Sequence, residues 1–346
     1  MRAICNHNYK TTALRWLGVF AMVLQMLTGS APVGAQSQRV YVLTTATTGG
    51  TFYPVGVAMA TLTKVRLAPT QGVALAAISS AGSAENLKLL RTGEAQFAIL
   101  QALYGAWAWR GEGPMAANGA QTHLRAVTRL WSNVEHFVLS EGFVREGTLA
   151  DLGALDGARF AIGKRNSGSA GSGEHILRAL GVQQAFEPVY LGYGAAAEAM
   201  LDGTTVGMNA PAGPPSGAIT RLLAARGGAV QILAITDAQL EAINRRYPLW
   251  SRYAIPANTY PQQPLSVASA AQPNFLAVHA DVDADAVYWI TRTLYENLGF
   301  LQAIHSATGE LSLDTATDGL PVPLHPGAER YYREQGIEVA APQLAP

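Results

Sequence analysis

The chain has 346 residues, 49% of them hydrophobic, and its 24 lysines and arginines balance 24 aspartates and glutamates. A neutral chain of this composition shows no basic surface for nucleic acid, and its length allows a large core. The single cysteine, Cys5, excludes an internal disulfide framework.

Residues 1–35 are predicted to be a secretory signal peptide. Its start is basic, residues 16–27 are apolar, and small residues ending at Ala35 suit cleavage after that position. The apolar run is far shorter than the roughly 20 residues that span a bilayer, which argues against a membrane anchor. Cleavage removes three basic residues and no acidic ones, so the mature chain carries a net charge of −3. We therefore expect a soluble periplasmic protein.

After the signal, short β-branched or apolar runs alternate with helical patterns. Strands are predicted at residues 40–45, 73–78 and 96–100, and helices at residues 53–65 and 83–90. Alternating strands and helices are typical of βαβ units on a parallel sheet that is covered on both faces.

The alternation restarts after two strand-rich segments, residues 125–130 and 135–139. It fades in a turn-rich segment, residues 247–264. The mature chain is longer than one core usually grows, so two lobes are expected. In order, the later strands are predicted at residues 159–162, 188–191, 205–209, 230–235, 265–267 and 275–278, and the later helices at residues 169–180, 194–201, 216–225, 237–246 and 284–299.

Three loops rich in glycine and hydroxyl side chains, residues 44–54, 79–86 and 166–169, lie between a predicted strand and a predicted helix. An open α/β sheet places its ligand crevice at such junctions, where free N–H groups attract anions. Each loop could also be an ordinary turn with a helix cap. In the second loop, Ser83 is predicted to be an N-cap with Asn86 as its capping-box-like partner.

Searches for catalytic and metal motifs fail. No serine lies in a Gly-x-Ser-x-Gly elbow, and residues 163–164 lack the flanking residues of a phosphate-binding loop. Residues 279–285 resemble the start of a calcium loop, but Ala286 stands where glycine is needed, so acidic capping of a helix from Ala284 is preferred. The scattered histidines are interpreted as structural. No catalytic residue, metal or cofactor is predicted.

The chain resembles the TAXI family of solute receptors from TRAP (tripartite ATP-independent periplasmic) transporters over nearly all of its mature length. Two positions depart from the family pattern, Ser169 in place of threonine and Trp131 in place of tyrosine. The motifs that carry the resemblance are TGGTFYPVG at residues 48–56, GSAENLKLL at 82–90, SGS at 167–169, GPPSGAI at 213–219 and PLHPGAERYY at 323–332.

The resemblance implies an α/β, two-lobed periplasmic-binding-protein-like fold of type II. Residues 36–135 would form the N-terminal part of lobe 1, residues 136–264 lobe 2, and residues 265–346 the return to lobe 1 with C-terminal helices. Two hinge strands, near residues 131–139 and 265–278, would join the lobes.

The resemblance also implies a non-enzymatic role. The protein would close around a small carboxylate-bearing solute, a glutamate-like amino acid or a dicarboxylate, and deliver it to the membrane subunits of a TRAP transporter. A periplasmic hydrolase or transferase, and a ligand-sensing subunit of a signalling receptor, are the alternatives. The candidate ligand-binding residues are Gly50, Thr51, Tyr53, Ser83, Asn86, Gln101, Trp131, Ser167, Gly168, Ser169 and Gly213.

Overall fold

The computed structural model describes residues 38–339, in which two β-sheets carry helices on their faces. The predicted signal peptide lies outside the described residues. In chain order, the strands of the described part are β1 (Arg39–Thr44), β2 (Val73–Ile78), β3 (Phe97–Gln101), β4 (Leu124–Val134), β5 (Phe137–Ser140), β6 (Arg159–Ala161), β7 (Glu187–Val189), β8 (Gly207–Asn209), β9 (Val230–Ile232), β10 (Ser251–Ile255) and β11 (Val267–His279).

Helices follow most of these strands. Between residues 38 and 339 no helix has both the length and the apolar character needed to cross a membrane. The α-helices are α1 (Phe52–Arg66), α2 (Ala68–Gln71), α3 (Ser83–Arg91), α4 (Ala102–Arg110), α5 (Gly168–Ala179), α6 (Tyr193–Leu201), α7 (Gly217–Arg226), α8 (Asp237–Asn244), α9 (Ala284–Glu296), α10 (Leu298–Ile304) and α11 (Pro326–Glu334). Short 3₁₀ helices occupy Gly113–Asn118, Glu141–Phe143, Leu149–Ala154, Gly227–Ala229, Ser306–Glu310 and Leu313–Thr315.

The first sheet has the strand order β10-β11-β3-β1-β2, and β4 also pairs with β11. Strand β1 runs parallel to β2 and β3, whereas β11 is antiparallel to β3, β4 and β10. Strand β3 reads Phe-Ala-Ile-Leu-Gln and is buried throughout. Such a continuous apolar strand is expected where helices cover both faces of a sheet.

The second sheet has the order β7-β6-β8-β5-β9. Strand β6 is parallel to β7 and β8, and β5 is antiparallel to β8 and β9. A separate core packs beside this sheet, with Met208 from β8, Ala196 from α6 and Leu222 from α7 among its residues. The second sheet is therefore the centre of a second lobe.

Two lobes follow from the two sheets, and the predicted two-lobed α/β fold is confirmed. One connection is short, because β4 ends at Val134 in the first sheet and β5 begins at Phe137 in the second. The other is β11, since Ala271 belongs to the core of the second lobe while the last part of the strand pairs with β3. The lobe limits at residues 135/136 and 264/265 stay predictions.

The start of α3 differs from the predicted capping box. The helix begins at Ser83 itself, and its N-cap is Gly82, which has a φ of 126° and makes no side-chain cap. The Ser83 hydroxyl accepts a hydrogen bond from the backbone N–H of Gln101 at 3.2 Å. The capping-box prediction for Ser83 and Asn86 is therefore wrong, because partners elsewhere in the fold hold both side chains.

The strands that lead back to the first sheet also differ from those predicted from the sequence. The segment predicted to be turn-rich contains β10, and the two strands predicted at residues 265–267 and 275–278 are the single 13-residue strand β11. Polar residues inside β11 break its apolar pattern, so the pattern predicted two strands. The acidic start of the last long helix is confirmed, since Asp283 Oδ1 accepts from the N–H of Ala286 at 2.9 Å ahead of α9.

Candidate functional site

Strand-to-helix junctions of both lobes meet at one cavity. The first lobe contributes the loops after β1, β2 and β3, and the second lobe contributes the loops after β6, β7 and β8. The carboxyl ends of parallel strands share one edge of a sheet, which is where open α/β folds bind ligands. The lining residues are Ala46, Thr47, Gly50, Thr51, Phe52, Ala81, Gly82, Ser83, Gln101, Asn133, Lys164, Ser167, Gly168, Ser169, Gly192, Tyr193, Pro211 and Ala212.

Five helices begin at this cavity. The N-cap residues of α1, α3, α4, α5 and α6 are Thr51, Gly82, Gln101, Ser167 and Gly192, and all five belong to the lining. Of these five, Ser167 alone caps its helix with its side chain, by accepting from an N–H of α5 at 3.0 Å. The first N–H groups of a helix lack partners within it and carry partial positive charge. The positive ends of five helices therefore surround the cavity.

Asn86 holds the first-lobe loops together beneath the cavity. Its Nδ2 donates to the carbonyl oxygens of Thr45 at 2.7 Å and Ile99 at 2.9 Å. Its Oδ1 accepts from the hydroxyls of Thr44 at 2.7 Å and Ser80 at 2.6 Å. The side chain is fully buried. With these four hydrogen bonds made, Asn86 fixes the loops after β1 and β2 against β3.

We expect Asn86→Ala to lower the free energy of unfolding by about 2 to 3 kcal/mol, because buried groups then lose their hydrogen-bond partners. Urea unfolding measures the change. The matched control is Asn118→Ala, at an exposed asparagine that ends a 3₁₀ helix, where a change within about 0.5 kcal/mol is expected. An Asn86→Ala protein as stable as the unmodified one would contradict this scaffold role.

The second-lobe wall closes tightly against the first lobe. The Tyr104 hydroxyl on α4 donates to the carbonyl oxygen of Ser167 at 3.2 Å. The Thr51 hydroxyl donates to the carbonyl oxygen of Gly213 at 2.9 Å. A Cβ atom on Gly168 would lie 2.7 Å from a first-lobe side chain, closer than real Cβ atoms approach. These contacts join the lobes in a closed arrangement, in which a side chain at position 168 would have to displace Gln101 and Ser83.

Seven of the eleven sequence-predicted residues line the cavity, and four lie behind it or beside it. Tyr53 is half-buried outside the lining, and Asn86 lies beneath it. Trp131 is fully buried and meets Phe52 edge-to-face, with 6.0 Å between ring centroids, so it supports the wall through Phe52. Gly213 contributes its carbonyl oxygen to the contact between the lobes. The seven lining residues are Gly50, Thr51, Ser83, Gln101, Ser167, Gly168 and Ser169.

Lys164 is the one charged side chain in this lining. Its neighbour Arg165 stacks on Tyr190, with 3.8 Å between the guanidinium carbon and the ring centroid, and is not part of the lining. The lining contains no His, Cys, Asp or Glu, and no group of three or more such side chains within residues 38–339 could hold a metal ion. The donors that the cavity presents are N–H groups, hydroxyls and one ammonium group.

Two amide side chains in the lining have unpaired polar atoms. Gln101 Oε1 and both polar atoms of Asn133 are buried without a hydrogen-bond partner in the described structure. Two positions after Asn133, Glu135 lies at the crossing between the lobes, and its Oε1 accepts from Trp250 Nε1 at 3.0 Å. Burial raises the pKa of Glu135 to about 7, and hydrogen bonds from Trp250 and Gln272 offset part of that rise.

Asn133, Gly192 and Tyr193 were missed by sequence reasoning. Gly192 and Tyr193 follow the strand predicted at residues 188–191 and precede the helix predicted at 194–201. They therefore form a fourth strand-to-helix loop at the cavity, besides the three that the sequence indicated. Asn133 has no comparable local signal, because it lies inside β4. The crossing of the strands between the lobes brings it to the cavity.

Fold and site together define a two-lobed α/β protein of the periplasmic-binding-protein fold, with its cavity between the lobes. The periplasmic binding protein BugD superposes with a TM-score of 0.50 and 14% identity, over 86% of this chain and 93% of that chain. The aliphatic sulphonate binding protein SsuA from Escherichia coli gives a TM-score of 0.44 and 14% identity, over 86% and 84%. A model of the NMT1-like family matches residues 43–336, and the chain belongs to that family.

Proposed function

We propose that this protein is a non-enzymatic periplasmic solute-binding protein that holds a small organic carboxylate between its lobes. The observation that carries the proposal is the convergence of five helix N-termini on one cavity. A helix N-terminus favours an anion through both its free N–H groups and its dipole. In four of these five helices the N-cap side chain makes no cap hydrogen bond. The N–H of Glu85 in α3 and that of Leu103 in α4 already have partners, so the remaining first-turn N–H groups are the donors for a ligand.

The cradle is built mainly from backbone. Lys164 is the single cation of the lining and is exposed, so the negative charge of the solute is held by N–H groups near Thr51, Ser83 and Gly168. Closure of the second lobe completes the cradle, because the N-terminus of α5 meets those of α3 and α4 only when the lobes are together. The absence of His, Cys, Asp and Glu from the described lining supports binding without catalysis.

A finer part of the proposal concerns the solute and the partner. The TAXI-like motifs favour a glutamate-like amino acid or a dicarboxylate, delivered to the membrane subunits of a TRAP-type transporter. Three of those motifs, at residues 48–56, 82–90 and 167–169, contribute residues to the cavity lining. Three of the five motifs that carry the resemblance therefore reach the place where a ligand would be held.

The test is a thermal-shift screen of the mature protein against amino acids, dicarboxylates, sulfonates and phosphonates. We expect a carboxylate to raise the melting temperature, because a ligand at a hundred times its Kd stabilises the folded form by about 2.7 kcal/mol. Calorimetric titration then gives the affinity. A response to sulfonates or phosphonates alone would contradict the carboxylate assignment. No response to any of these anions would contradict the solute-binding function.

A further inference from the structure

Five buried polar side chains form what we call the floor cluster, at the crossing between the lobes. Pairing register places them together: Gln272 of β11 pairs with Asn133 of β4, and Asn274 of β11 pairs with Gln101 of β3. Glu135 follows Asn133 by two positions. Each of the five is at most 2% exposed. Because Gln101 and Asn133 belong to the cavity lining, the cluster borders the ligand cavity.

The floor cluster holds an unusual number of unpaired polar atoms. The atoms without a hydrogen-bond partner are Gln101 Oε1, Asn133 Oδ1 and Nδ2, and Asn274 Oδ1 and Nδ2, whereas Glu135 and Gln272 interact with each other. More than about nine in ten buried polar groups in folded proteins are hydrogen-bonded, because a buried group without a partner destabilises the fold. So many orphans in one cluster indicate a surface built to meet a polar group.

The chemistry of the cluster selects a hydrogen-bond donor. Three of its five unpaired atoms are oxygens. The cluster also contains the acidic side chain Glu135, which forms no ion pair with any described residue. Glu135 also lies close enough to Tyr193 of the cavity lining to raise its pKa, in addition to the larger effect of desolvation. A cluster with hydrogen-bond acceptors and one acidic side chain thus lies beside the positive ends of the helices.

We propose that Asn133 and the floor cluster bind a hydroxyl or amino group that the solute carries in addition to its carboxylate. The inference rests on the proposed function and narrows the solute to hydroxy- or amino-substituted carboxylates. Asn133 is the residue that distinguishes solutes, since both of its polar atoms are unpaired and it belongs to the lining. Gln272, by contrast, already accepts from the N–H of Leu103 at 2.9 Å.

Matched solutes test the assignment by calorimetric titration. Malate and succinate differ by one hydroxyl, and glutamate and glutarate differ by one amino group. We expect the unmodified protein to bind the substituted member of at least one pair about tenfold or more tightly than its partner, as one further buried hydrogen bond predicts. In Asn133→Leu this ratio falls towards one, whatever the change in the two absolute affinities. Comparing the two pairs separates a hydroxyl from an amino group.

The control is Asn118→Leu, at an exposed position outside the lining, which keeps the ratio of the unmodified protein. Melting curves verify folding, and Asn133→Ala replaces Asn133→Leu if the larger side chain prevents it. Equal affinity for both members in the unmodified protein, or a ratio that survives in the Asn133 variant, would overturn the floor-cluster proposal and leave carboxylate binding intact. If no member of either pair binds and the thermal-shift screen finds no other carboxylate, the carboxylate function falls as well. A solute from the screen that carries neither a hydroxyl nor an amino group overturns the floor-cluster proposal alone.

Discussion

Gly168→Val abolishes solute binding, with a loss of affinity of about a hundredfold or more, while the protein still folds. A Cβ atom at this position would lie 2.7 Å from Gln101 and 2.8 Å from Ser83, both in the first lobe. The valine side chain therefore prevents the N-terminus of α5 from reaching the other helix ends, and the anion loses part of its cradle. Folding is retained because valine is tolerated in the first turn of a helix that does not need a positive φ.

The matched control is Gly217→Val. Gly217 also begins a helix, α7, but a Cβ atom at this position would have no neighbouring atom within 4 Å. Calorimetric titration with the solute from the screen, and a melting curve for each protein, provide the comparison. Gly50→Val should have a milder effect, because its Cβ would meet the edge of the Tyr193 ring at 3.0 Å, which can shift. Unchanged affinity in a folded Gly168→Val protein would mean that the closed arrangement is not the binding form.

We expect the difference in the free energy of unfolding between Glu135→Gln and the unmodified protein to change by roughly 3 kcal/mol in favour of the variant. The change occurs as the pH rises from about 4.5 to about 7. The ordinary pKa of the carboxyl is 4.5, and burial raises it to about 7 in the folded protein. Between these values the folded protein holds a proton that the unfolded chain has released. The contribution of Glu135 to stability is therefore complete below its unfolded pKa and is lost as the pH rises through its folded pKa.

The comparison with the variant is needed because the titration of His136 changes the free energy of unfolding with pH in the opposite direction. Burial lowers its pKa to about 4, so its contribution increases with pH from about 4 to about 6.5. Urea unfolding of both proteins at several pH values from about 4.5 to about 7.5 measures the difference, in which the contribution of His136 cancels. A difference that stays constant over this range would show that Glu135 titrates normally in the folded protein.

The position of the cavity could be predicted from local sequence. Residues 44–54, 79–86 and 166–169 combine glycines and hydroxyl side chains between an apolar run and a helical pattern, and all three loops reach the cavity. The prediction worked because the geometry of a parallel sheet brings the ends of its strands to one edge, whatever the details of packing. The role of an individual residue was harder to predict, as Asn86 shows. Its four partners lie on strands and loops that are distant in the sequence.

The sequence by itself determined the alternation of strands and helices, the two-lobed α/β fold and the loops at which helices begin. These features depend on periodicity and on residues close together in the chain. Tertiary structure alone decided that β11 is one long strand shared by both lobes. It also decided that Asn133 and Glu135 lie beside the cavity. Their placement depends on strand register between segments more than a hundred residues apart, and a local pattern contains no information about such pairing.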